Sequence, residues 1–121
     1  MPSPPPIETL KIECEQRGDI TVARLIGSAN MVSASALQDE LFTLLEQNPR
    51  HLVLDLSQLA FISSVGLGGI IAAHLRCRKN NSTMAMAAPS ADILELLQVT
   101  NLTRLFPVHR TVETALAHLG D

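Results

Sequence analysis

Apolar and polar residues alternate through residues 7–15, with Ile7, Thr9 or Leu10, Ile12 and Cys14 as the inward set. Period-two alternation predicts a half-exposed strand. Gly18-Asp19 marks a turn. The β-branched run 20–26 (ITVARLI) then predicts the second strand of a hairpin, stopped by Gly27. Leu37, Leu41, Leu44 and Leu45 repeat at helical spacing, which predicts an amphipathic helix over 34–47. Ser33 or Ser35 is placed to cap it, and Asn48-Pro49 ends it. The apolar run His51–Leu56 predicts a strand buried on both faces.

The period switches again after that run. Leu67, Ile70, Ile71 and Leu75 predict a helix over 64–79, with Arg76, Arg78 and Lys79 in its last turn, where cations suit the helix dipole. A strand over 82–88 follows, then a helix from Pro89 to about Val99 with Ile93, Leu94 and Leu97 inward. Leu105–Val108 predicts a short strand, placed at an edge by Pro107. The last helix carries Val112, Leu116 and Leu119, with Thr111 as its cap and Gly120 as its stop. The order β-β-α-β-α-β-α-β-α predicts an α/β fold: a mixed central sheet, largely parallel, with about four amphipathic helices packed on it.

Composition narrows the function classes. The chain has 121 residues, the size of one domain. Residues 1–6 hold four prolines and read as a flexible leader to a single domain over 7–119. The net charge is −3, and the nine Lys and Arg are scattered, so no basic face for nucleic acid is expected. There is no Trp or Tyr to stack bases or anchor a membrane interface. No apolar run approaches the roughly 20 residues of a membrane span. Cys14 and Cys77 form no C-x-x-C pair, and two reduced thiols in a cytoplasmic protein are the simplest account.

The stretch from Asp55 to Gly69, DLSQLAFISSVGLGG, carries the candidate chemistry. Gly66, Gly68 and Gly69 lie inside the expected helix, where three glycines cost roughly 3 kcal/mol relative to alanine. Either this turn packs backbone-close on the sheet or a partner approaches it closely. Ser63 and Ser64 stand at the helix start. One serves as cap by accepting a backbone N–H; a serine there is also well placed for a ligand or partner, beside the carboxyl end of a buried strand. Asp55 either hydrogen-bonds the following loop or places negative charge beside Ser64.

Three enzyme motifs fail here. A nucleophile elbow needs Gly where Ile62 stands, and seven residues separate Leu56 from Ser64. A dinucleotide fingerprint needs a third Gly where Ile71 stands, and a P-loop needs Lys where Ile70 follows Gly69. His74 and Cys77 share a helix but lack the further ligands a zinc site requires. A small nucleotide-binding α/β enzyme using the strand-end crevice stays open as the reading from another class.

The pattern VLDLSQLAFISSVGLGGII, with the preceding helix start and the strand-helix-strand-helix tail, resembles the STAS domain family, which includes the bacterial anti-sigma factor antagonists. The resemblance spans about residues 7–119. It implies a non-enzymatic phosphoswitch with no cofactor and no metal. In such antagonists the helix-start serine is phosphorylated by a serine kinase that is also the anti-sigma factor, and a metal-dependent, PP2C-type serine phosphatase removes the phosphate. The unphosphorylated form binds the kinase and releases the sigma factor. The acceptor position falls on Ser64, with Ser63 as the alternative. The implied partner-binding set is Asp55, Ser57, Ser63, Ser64, Gly66, Leu67, Gly68 and Ile70, with Leu67 and Ile70 giving apolar contact where exposed. Ser63 and Val65 depart from the Asp and Ser or Thr that often flank the acceptor, and no acidic residue follows Gly27. A STAS adaptor of an ABC transporter ATPase, or a scaffold, is the variant without phosphorylation.

Overall fold

The computed structural model describes residues 10–120. The expected leader and residues 7–9 lie outside them. The chain forms β1 (Leu10–Arg17), β2 (Ile20–Ala29), α1 (Ala34–Leu45), β3 (His51–Ile62), α2 (Ser64–Lys79), β4 (Thr83–Ala87), α3 (Ala91–Val99), a 3-10 turn (Leu102–Arg104), β5 (Val108–His109) and α4 (Val112–Gly120). The order of strands and helices is the one the hydrophobic pattern predicts. The strands lie in the sheet as β1-β2-β3-β4-β5. The hairpin pair is antiparallel and every other pair is parallel, giving the expected mixed sheet.

Strand alternation divides the core between two faces. Leu25, Leu52, Leu54, Leu56, Met84 and Met86 meet the leucines of α1, α2 and α3 on one face. Ile20, Val22, Val53 and Ala87 meet Ala115, Val112 and Leu116 of α4 on the other. Each fully buried leucine contributes about 1.5–3 kcal/mol of transfer free energy. α4 covers part of its face, and the polar residues Arg24 and Asp55 continue that face beyond it.

Four boundaries differ from expectation. β2 does not stop at Gly27: it runs to Ala29, with Gly27 at φ 104 beside a register shift. β3 runs six residues past Leu56 and pairs with β2 as far as Ala29↔Ile62. Its pairing with β4 ends at Asp55↔Ala87, so from Leu56 onward it has one neighbouring strand among the described residues. β5 is only Val108–His109, because Leu105 closes the 3-10 turn. Ser33 precedes α1, yet its side chain caps no helical N–H. Its backbone is already helical, and its hydroxyl donates back to the Ser28 carbonyl at 2.9 Å. Both cysteines are free, Cys14 exposed and Cys77 buried. No helix among the described residues is long and apolar enough to cross a membrane.

Candidate functional site

β3 feeds almost directly into α2. Ile62 is the last strand residue, Ser63 the cap and Ser64 the first helical residue. Ser63 keeps extended geometry (φ −83°, ψ 168°), which aims its Oγ at the first turn, where it accepts from the Gly66 N–H at 3.0 Å. The Ser63 N–H donates to the Ala29 carbonyl at 2.8 Å, tying this junction to the end of β2. Ser63 therefore fills the capping role. Ser64 is exposed at the positive end of a 16-residue helix, with its hydroxyl engaged by no described residue. The seven-residue gap that counted against a tight strand-to-helix turn is strand; Ile62 in place of Gly is what remains of that mismatch.

The three glycines separate into two groups. A Cβ on Gly66 would stand 2.9 Å from Ile62 Cγ1 and 3.0 Å from the Ala29 carbonyl oxygen. A Cβ on Gly69 would stand 3.3 Å from the Gln38 side chain on α1. These two glycines bring α2 close to its neighbours. Gly68 is exposed, with nothing within 4 Å of its missing Cβ, so packing does not explain it.

The expected contact set does not form one surface. Ser63, Ser64 and Gly68 sit together at the start of α2. Leu67 and Ile70 are buried at 7% and 1% exposure, and Gly66 is buried with them. They belong to the stripe that fixes the helix to the sheet and offer nothing to a partner. The exposed apolar residues at this end are Phe61 and Val65, which flank the two serines, and Met31 and Val32 in the β2–α1 connection. That connection is fastened by Asn30, whose Oδ1 accepts from the N–H groups of Val32 and Ser33, each at 2.9 Å. Sequence reasoning missed this rim. Its available signal was Asn30-Met31-Val32-Ser33, an Asx-type turn with two large apolar residues at its tip.

Asp55 and Ser57 lie elsewhere. Asp55 projects on the α4 face, away from α2. Its Oδ2 accepts from Arg24 Nε at 3.0 Å and its Oδ1 from the Ser57 N–H at 3.0 Å. Burial alone would raise the Asp55 pKa; the Ser57 backbone N–H and hydroxyl and the Arg24 guanidinium outweigh it and hold the carboxyl below its usual value. The carboxylate thus serves the loop-bonding role and places no charge beside Ser64. It lines a groove of ≈ 310 Å³ with Arg17, Ser57, Thr111 and Glu113 among its walls. On α2, His74 and Cys77 are both buried; burial lowers the His74 pKa and pushes the Cys77 thiol up to about 11. No group of three or more His, Cys, Asp or Glu among the described residues is arranged to hold a metal ion.

Known proteins share this fold. The sequence is 24% identical to the anti-sigma F factor antagonist of Paenibacillus polymyxa over 91% of this chain and 95% of that one. The fold superposes on the crystal structure of an anti-sigma factor antagonist from Mycobacterium paratuberculosis with a TM-score of 0.87, at 26% identity, covering 94% of this chain and 97% of that one. The anti-sigma factor antagonist SpoIIAA in its unphosphorylated form gives a TM-score of 0.77 at 17% identity, with 90% and 96% covered. The sequence profile of the STAS domain matches residues 11–115, nearly all of the described fold, and on that match the chain belongs to the STAS domain family.

Proposed function

We propose that this protein is an anti-sigma factor antagonist switched by phosphorylation of Ser64. The unphosphorylated form binds a serine kinase that doubles as the anti-sigma factor, and a metal-dependent serine phosphatase resets the switch. The observation that carries the reading is the division of labour at the start of α2: Ser63 caps the helix and Ser64 is left exposed and unengaged. The antagonist names of the relatives support the same class of partner. SpoIIAA, of the same fold, has also been solved in a phosphorylated form.

The physics of the switch follows from position. A phosphate on Ser64 adds about −1.5 to −2 charge. The helix N-terminus favours that charge by about 0.3–1 kcal/mol, so the fold keeps its shape. A partner seated on the rim of Met31, Val32, Phe61 and Val65 would have to bury the same dianion among apolar groups. Burial without a counter-charge costs several kcal/mol, and each 1.4 kcal/mol is tenfold in affinity. Gly68 leaves room for a partner backbone. Ser57, exposed on the other face, belongs to a separate surface in this reading.

The test is phosphosite mapping on protein isolated from its host, followed by binding of the purified kinase to variants. Ser64→Ala is expected to bind as the wild type does, and Ser64→Asp at least tenfold more weakly. Phosphate on Ser63 alone would move the acceptor by one residue. No phosphate under any growth condition, with equal binding by both variants, would overturn the switch in favour of a transporter adaptor or scaffold.

A further inference from the structure

The outer edge of β1 matches a second copy of itself in one register, and we propose that the protein self-associates there by antiparallel β1–β1 pairing, which continues the sheet across a two-fold axis at Ile12.

β1 is an edge strand of eight residues, paired among the described residues only with β2. It has neither a proline nor a register shift along its length, the usual devices that keep an edge single. Its turn is the two-residue Gly18-Asp19, closed by Arg17↔Ile20. A two-residue turn closes on a hydrogen-bonded pair, so Arg17, Glu15, Glu13 and Lys11 bond to β2. The N–H and C=O groups of Leu10, Ile12, Cys14 and Gln16 face outward.

The remaining device is charge. Lys11, Glu13, Glu15 and Arg17 share one face of the strand, and all are well exposed. Their order selects the register. An axis at Cys14 sets Lys11 against Arg17 and Glu13 against Glu15, both like-charged. An axis at Lys11, Glu13 or Glu15 sets that side chain against its own copy, and an axis at Gln16 pairs Glu15 with Arg17 but overlaps only residues 15–17 of the strand, against 10–14 for Ile12. An axis at Ile12 pairs Lys11 with Glu13 twice and leaves no like pair among the described residues. Each Lys11 already lies 3.2 Å from its own Glu13, so the four groups form a ring of alternating sign. On the opposite face this register sets Ile12 against Ile12 and Leu10 against Cys14. Leu10 and Ile12 are half-buried against the core and need only a neighbour to complete their cover. All three outward pairs are hydrogen-bonding pairs, as the ladder requires.

The experiment is sedimentation velocity of the full chain over a concentration series, with circular dichroism to verify folding. The wild type is expected to shift from monomer to dimer with concentration. Lys11→Glu and Glu13→Lys each create two like-charge pairs and are expected to weaken association about tenfold. The double variant K11E/E13K restores both opposite pairs and the dimer. Oxidation of an Ile12→Cys, Cys14→Ser protein is expected to give a disulfide-linked dimer, since facing Cα atoms in this pairing lie within bridging range. A monomer at every concentration, or a double variant as weak as the singles, would overturn the proposal. None of these readouts involves Ser64, so they stand apart from the phosphoswitch.

Discussion

Two polar clusters leave β3 in opposite directions, and the same motif, DLSQLAFISS, encodes both. On the α4 face, Asp55 spends its hydrogen-bonding capacity inside the molecule, on Arg24 and the Ser57 N–H. At the start of α2, Ser63 closes the helix and Ser64 has nothing internal to do. The first cluster ties β3 to β2 where their register shifts; the second leaves one hydroxyl over. A polar group fully engaged at home is architecture, and one left over beside exposed apolar side chains is available to something outside.

The largest effect that separates the clusters should come from Asp55→Ala. It strands the Ser57 N–H and leaves Arg24 only its longer ion pair with Glu13, at 3.7 Å. Because the Arg24 side chain is 39% exposed, water absorbs part of the loss, and about 2 kcal/mol is expected by denaturant unfolding. The same variant should change the acid limb. The native Asp55 pKa lies below 3.8, so the ionised carboxylate stabilises the fold above that pH. That contribution fades as pH falls below 3.8 and through the lower native value. Urea midpoints of wild type and D55A should therefore converge towards low pH; a constant gap would break the assignment.

Next is Gly66→Ala, which drives a Cβ against Ile62 and the Ala29 carbonyl. Overpacking of this kind costs about 1–3 kcal/mol. Gly68→Ala, in the same helix with open space, should instead stabilise by about 0.5–1 kcal/mol, and comparing the two melting curves tests the distinction. Ser63→Ala should cost about 1 kcal/mol as a lost cap. Ser64→Ala should fall within about 0.5 kcal/mol of wild type. Equal losses at the two serines would erase the contrast between them.

The order of elements was legible because the helices carry apolar stripes and the strands show alternation, a β-branched run or a short continuous apolar run. The length of β3 was not. The pairing with β2 shifts between Arg24 and Ile26, and a bulge of this kind breaks alternation. The inward residues then fall at Leu56, Leu59 and Ile62, three apart, a spacing that matches no strand template. The serines show a similar limit. Ser33 and Ser63 both precede helices, but only Ser63 enters from extended backbone, and only it caps. That difference is a ψ angle of −5° against 168°, set by what comes before the residue. The position proposed as the acceptor was visible as a motif. The apolar rim was not, because Met31 and Val32 are remote in sequence and are carried to this end by the pairing of Ala29 with Ile62 and the bond from Ser63 to Ala29.

The single-sided stretch of β3 has a further consequence. Among the described residues only β2 flanks the strand from Leu56 to Ile62, so apart from the Ser57 N–H, which Asp55 holds, amides on its other edge have no ladder to break. Their deuterium uptake should report local opening and run ahead of His51–Asp55, which is clamped between two strands. If that uptake is seen, Ser64 sits at the end of a segment that opens on its own, and in the proposed switch a kinase would reach its hydroxyl without waiting for the core to loosen.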